Sequence, residues 1–142
     1  MSTAAAIELL GGPRVVGRAQ SPIEIARAVR RGLPWAAFEA LVSALAVSQA
    51  ELAAMLHIRA RTLSRRKASG RLEAMESDRV FRLARVLAHA VEVFESVERA
   101  RDWLETENRS LDGQRPLAFL DTDAGVREVD DILGRIEHGI FG

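Results

Sequence analysis

Apolar positions recur along most of this chain at three- and four-residue steps, the period of a helix that buries one face. Trp35, Phe38, Leu41, Val42 and Leu45 form one such face, and Val80, Leu83, Ala84, Leu87 and Val91 form another. Phe94, Val97, Ala100, Trp103 and Leu104 make a third, and Val126, Val129, Ile132, Leu133 and Ile136 a fourth. No segment alternates apolar and polar residues at period two with β-branched enrichment. The pattern predicts an all-α protein.

Local signals divide the chain. Ser21-Pro22-Ile23-Glu24 has the form of a helix start, with Ser21 as N-cap, Pro22 at the first helical position and Glu24 placed to close a capping box. That helix is expected to run to about Arg31 and to end at Gly32 and Pro34. Gly70 breaks the chain before the long helical segment, for which Ser77 is a candidate cap. The polar stretch ETENRSLDGQ from Glu105 to Gln114 is expected to be an exposed loop. A last helix should begin near Asp123, with Asp121, Thr122 and Asp123 as cap candidates, and stop at Gly139. Residues 1–20 show a Gly11-Gly12-Pro13 break and no sustained period, so they are expected to form a flexible, loosely docked leader.

Residues 49–68, QAELAAMLHIRARTLSRRKA, fit a helix-turn-helix. That motif buries a shared apolar face around a tight turn and turns its second helix outward. Leu52, Leu56, Ile58 and Leu63 supply the face, and Ala53 is small enough for close approach. Arg61, Ser64, Arg65 and Ala68 follow helical steps on the opposite side, a polar and cationic stripe suited to a major groove. Where such turns often use glycine in a left-handed conformation, this chain has His57, which that conformation tolerates at a cost of roughly 1 kcal/mol. Arg59, Arg61, Ser64 and Arg65 are the candidates for base edges, since arginine reads guanine through two parallel hydrogen bonds. Gln49, Thr62, Arg66 and Lys67 are the candidates for phosphates, which position a protein without specifying sequence. Arg66 stands where many such helices carry an aliphatic residue, so a misfit, a partly buried stem and a phosphate contact all remain open. The plain alternative is an amphipathic hairpin with a solvated basic face.

Charge adds a second division. The formal net charge of the 142 residues is zero, yet residues 1–89 hold 14 basic against 7 acidic residues and residues 90–142 hold 6 against 13. A half at +7 suits duplex DNA, whereas a half at −7 is repelled by it and implies a different partner. Boundaries follow at 1–20 for the leader, 21–76 for the DNA-binding part and 77–142 for the acidic part.

Catalysis finds little to use. There is no cysteine, so disulfides, thiolate zinc sites and cysteine nucleophiles are excluded. His57, His89 and His138 are isolated, with no H-E-x-x-H spacing, and each reads as solvated or structural. No phosphate-binding glycine loop and no nucleophile elbow is present. A non-enzymatic protein without cofactor or metal is expected. No run of about 18 apolar residues exists and the N-terminus lacks a basic n-region, so a cytoplasmic protein without a membrane span is expected.

The segments TLSRRKASGRL at 62–72, ESDRVFRLARVLAHA at 76–90 and ARDWLETENRSLDGQRPLAFLDTDAGVREVDDILGRIEHGIF at 100–141 resemble the Xre/MbcA/ParS antitoxins, partners of toxins with a RES domain. The resemblance covers residues 21–142, and its second half is the specific part. It implies a toxin-binding and dimerising domain from about residue 77, with the basic half binding operator DNA upstream of its own gene pair. RES toxins consume NAD, and the resemblance implies neutralisation by a C-terminal segment placed at the toxin's active-site entrance. In this chain the toxin contacts would be Trp103, Arg135, Ile136, His138, Gly139, Ile140 and Phe141. A homodimer inside a larger toxin–antitoxin hetero-oligomer is implied as well. The alternatives are a stand-alone dimeric helix-turn-helix repressor and a protein inhibitor without DNA binding.

Overall fold

The computed structural model describes residues 3–139. Among them there are nine α-helices, two short 3-10 turns and no strand. The helices are α1 (Thr3–Leu9), α2 (Pro13–Val16), α3 (Pro22–Arg31), α4 (Trp35–Leu45), α5 (Gln49–Met55), α6 (Ala60–Ser69), α7 (Ala74–Phe94), α8 (Val97–Glu105) and α9 (Asp123–Glu137). The 3-10 turns, Arg109–Leu111 and Pro116–Phe119, lie between α8 and α9. The all-helical expectation therefore holds.

Most boundaries follow the punctuation of the sequence. Ser21 caps α3 by accepting the Glu24 backbone N–H at 3.2 Å. Only half of the expected box forms, because the Glu24 carboxylate accepts the Ser21 hydroxyl instead of its backbone N–H. Thr122 caps α9, its hydroxyl accepting the Gly125 N–H at 3.0 Å, and Gly139 leaves the helix end with φ 72°. Ser77 is not a cap. Glu73 and Glu76 close a capping box at the start of α7, and Ser77 is fully buried one turn further on. Its hydroxyl accepts the Leu33 N–H at 2.7 Å, because the α3–α4 connection packs there and its backbone donor needs a partner.

That connection is tight. Gly32 has φ 90°, and a Cβ there would collide with the Leu72 carbonyl. Only glycine lets the two loops touch. Leu72 N–H then donates to Leu33 O and Trp35 N–H to Gly70 O, both at 2.8 Å, tying the end of α6 to the start of α4.

The first twenty residues are a correction to the sequence reading. Residues 3–16 fold into α1 and α2, and Ala6, Ile7, Leu10 and Val16 are buried in the core. Helices of seven and four residues are too short to display a period or to stand by propensity. They form here because α1 packs along α7. The polar loop also contributes to the core, since Leu111 is buried within its 3-10 turn.

One continuous apolar cluster runs from α1 to α9. At its centre is α7, which packs against α1, α3, α4, α8 and α9. Trp35 and Phe38 lie in this core with stacked rings 4.6 Å apart. The boundary drawn at 76/77 falls in the first turn of α7, so both halves share that helix.

Burial of Leu10 at 0% exposure makes a direct test of the N-terminal docking. Leu10→Ala is expected to lower unfolding free energy in urea by about 2–4 kcal/mol, the cost of emptying a packed leucine site. A loss below about 0.5 kcal/mol, as for a surface change, would restore the flexible leader.

Candidate nucleic-acid and partner interfaces

The helix-turn-helix forms from α5, a four-residue link and α6. A full capping box starts α5, with Ser48 accepting the Glu51 N–H at 3.0 Å and Glu51 accepting the Ser48 N–H at 3.4 Å. Leu52, Ala53, Leu56 and Ile58 are buried between the helices, and Leu63 is partly buried. His57 takes the left-handed conformation, φ 57°, as its position in the turn required. Side-chain contacts offset that strain: the His57 Nε2–H donates to the Asp121 carbonyl at 2.6 Å. Arg79, from α7, donates to the Leu56 carbonyl at 3.0 Å and so closes the C-terminus of α5.

No residue of α6 is buried. Arg59, Arg61, Ser64, Arg65 and Lys67 are exposed, and Gln49 and Thr62 half-buried. Among the described residues, none of these cations meets a carboxylate. Arg65 lies 3.5 Å from the Thr62 hydroxyl, a weak contact that leaves its guanidinium available. Arg61, Ser64 and Arg65 thus share one outward face of α6, with Arg59 at its N-cap and Lys67 exposed on another side.

Arg66 does not belong to that face, and its assignment to phosphate contact is corrected. Its Nε donates to Glu76 at 2.8 Å and its Nη2 lies 3.4 Å from Glu73, with the side chain 15% exposed. Both carboxylates stand at the start of α7, so this guanidinium ties the recognition helix to the central helix. Burial would raise the Glu76 pKa, but hydrogen bonds from Arg66 and the Glu73 backbone outweigh it and hold the carboxyl below its ordinary value. The Glu76 hydrogen bond likewise raises the Arg66 pKa against burial.

Other cations are also committed to backbone carbonyls. Arg101 of α8 donates to Ala44 O at 2.7 Å and reaches Ser43 O at 3.4 Å, closing the last turn of α4. Arg71 donates to Gly32 O at the end of α3. The sequence carried no sign of these links, because each joins positions more than twenty residues apart.

A groove of about 990 Å³ opens between α3 and the first half of α7, with His57 and Asp121 at its rim. Arg82 crosses it towards Asp123 at 3.6 Å and Asp78 at 3.8 Å. Here the start of α9 meets the turn of the helix-turn-helix.

The expected toxin contacts fall in two places. Trp103 is half-buried on α8, its ring 5.6 Å from that of Phe94 at the end of α7. Arg135 and Ile136 are half-buried in the last turn of α9, and His138 and Gly139 are exposed beyond it. Among the described residues, no hydrogen bond, ion pair or ring contact joins Trp103 to this end. Ile140 and Phe141 lie outside the described residues. The turn before α8 is made by Glu95 in the left-handed conformation, φ 66°, which glycine adopts without strain. No group of His, Asp or Glu that could hold a metal ion occurs among the described residues. No single helix among them is long and apolar enough to cross a membrane.

Comparison with known proteins places these features in a family. Residues 24–85 match the Antitoxin Xre-like helix-turn-helix domain. Residues 89–139 match the Antitoxin Xre/MbcA/ParS C-terminal toxin-binding domain. An Antitoxin Xre of Photorhabdus laumondii subsp. laumondii is 32% identical over 114 residues, covering 79% of this chain and 77% of the relative. An Antitoxin Xre of Yersinia enterocolitica is 36% identical over 97 residues, 67% of this chain and 66% of the relative. In fold, the chain is similar to a chain of the M. tuberculosis MbcT–MbcA toxin–antitoxin complex, with TM-score 0.55 and 20% identity over 74% of this chain and 94% of that one. An exposed arginine face on a helix-turn-helix, joined through one core to a matched toxin-binding region, places the chain in the Xre/MbcA/ParS family of antitoxins.

Proposed function

We propose that the chain neutralises a RES-domain, NAD-consuming toxin and represses its own operon through the helix-turn-helix. The observation that carries this reading is the division of surface. Arg61 and Arg65 on α6 and Arg59 at its N-cap are exposed and, among the described residues, without carboxylate partners, while the acidic half contains the region matched by the toxin-binding domain. The same surface cannot serve both partners, since residues 90–142 hold 13 acidic and 6 basic residues and repel phosphate.

In this reading Arg59, Arg61, Ser64 and Arg65 approach base edges in the operator duplex, and Gln49, Thr62 and Lys67 hold its phosphates. Trp103 and the segment Arg135, Ile136, His138, Gly139, Ile140 and Phe141 contact the toxin, the last part at its active-site entrance. Ile140 and Phe141 are two large apolar side chains that gain by inserting into a partner. The protein acts as a homodimer within a larger hetero-oligomer in the cytoplasm, and performs no chemistry itself.

Co-expression with the adjacent toxin gene tests the partner. Stable co-purification and relief of toxicity are expected, and deletion of Ile140, Phe141 and Gly142 is expected to abolish relief. Undiminished neutralisation by the truncated chain would reject insertion. A chain that shifts operator DNA but retains no toxin would be a stand-alone repressor.

The three arginine and lysine roles separate by readout. Arg61→Ala should relax base preference by about 1–3 kcal/mol at one position, and Lys67→Ala should weaken all duplexes alike and reduce the salt slope by about one. Arg66→Ala should instead cost about 1.5–3 kcal/mol of folding stability, through the Glu76 carboxylate left without its donor, and leave the salt slope unchanged. Because the Glu76 pKa is lowered by folding, this contribution is present above about pH 4.5 and is lost as pH falls through the folded value. A changed salt slope in Arg66→Ala with unchanged stability would return Arg66 to the DNA face.

A further inference from the structure

His89 lies in the second half of α7, 7% exposed, with its ring held between two carboxylates of α9. Nδ1 is 2.7 Å from Asp130 Oδ1, and Nε2 is 3.2 Å from Glu137 Oε1. An ionised carboxylate only accepts, and a neutral imidazole has one N–H and one lone pair. Both contacts are hydrogen bonds only when the ring is the imidazolium, with a donor on each nitrogen. A neutral ring would set a lone pair against one carboxylate, and the longer contact to Glu137 is the one that gives way. Asp130 sits within α9, whereas Glu137 is its last residue. Loss of the second bond therefore frees the end of the helix and leaves its middle in place.

We propose that His89 is a positioning residue for the partner-binding segment. As an imidazolium it ties the last turn of α9 to α7, and thereby sets where Arg135, Ile136, His138 and Gly139 stand. This role rests on the reading of that segment as toxin-binding.

Among the described residues, the charges that act on the ring are Asp130 and Glu137, both from α9. Burial lowers the His89 pKa, but the two carboxylates outweigh burial and raise it above its ordinary value. With the folded value raised, the clamp is complete below about pH 6.5 and is lost as pH rises through the folded value.

Hydrogen exchange of the full chain between pH 5.5 and 9 reads the clamp directly, as protection factors for the His138 and Gly139 amides, which bond Gly134 O and Ile136 O. Protection should fall with rising pH along a midpoint above 6.5, by about tenfold for each unit by which folding raises the His89 pKa. Glu137→Gln should make protection flat across this range, because an amide can accept from the N–H or donate to the lone pair. Glu137→Ala should lack the protection at every pH. Affinity for the co-purified toxin should follow the same profile in the unaltered chain and be flat in Glu137→Gln.

A flat profile in the unaltered chain, or an unchanged profile in Glu137→Gln, would remove the clamp. Protection that titrates while toxin affinity ignores pH would overturn the positioning role alone. No complex at any pH, with protection still titrating, would overturn the reading of the segment as toxin-binding and the positioning role with it.

Discussion

A helix that presents apolar or small side chains in nearly every direction must be covered on nearly every side. In α7, Val80, Phe81, Leu83, Ala84, Val86, Leu87, Ala88 and Ala90 are all buried and cover more than half of the axis, leaving Asp78, Arg85 and Glu92 on one exposed stripe. Five helices supply the cover, α1, α3 and α4 from the N-terminal half and α8 and α9 from the C-terminal half. Each of these can then turn a polar face to water. The demand of this one helix for apolar neighbours explains why the two functional halves form a single core, and why an N-terminal segment without visible periodicity is folded at all.

Polar links fix the covering helices in rotation. Arg66 joins α6 to the start of α7, Arg79 joins α7 to the end of α5, and Arg101 joins α8 to the end of α4. Arg79 and Arg101 place a cation on unsatisfied carbonyls at a helix C-terminus, where the helix dipole favours positive charge. With these guanidiniums committed internally, the exposed cations Arg61, Arg65 and Lys67 of α6 are left, among the described residues, without an ion-pair partner. Charge in this chain thus has two roles that composition alone does not separate, holding helices together and facing a partner.

The helices and their caps were legible because period and capping are local properties. Ser21, Thr122 and Gly70 mark boundaries where the sequence says they should, whereas the α7 cap is Glu73 and not Ser77, and the Ser48 capping box of α5 was not foreseen. His57 is a sharper case, since the geometry of the motif demanded a left-handed residue at that position and the chain supplies it. Arg66 was not legible in the same way. Its helix position alone allows a phosphate contact, and only the approach of Glu73 and Glu76 from the next element turns it inward. The docking of α1 and the His89–Asp130–Glu137 cluster were equally hidden, because separations of 41 and 48 residues leave no trace in a single sequence. Family resemblance reached the partner class earlier than geometry did, and geometry then separated outward cations from structural ones.

The central claim is that two oppositely charged surfaces on one shared core serve two different partners. A hydrogen-exchange footprint of the full chain with operator DNA and toxin bound together tests it most directly. The account predicts that DNA protects residues 59–69 and the toxin protects residues 97–105 and 123–139, each footprint persisting when the other partner is present. Protection of the acidic half by DNA, or of α6 by the toxin, would contradict it.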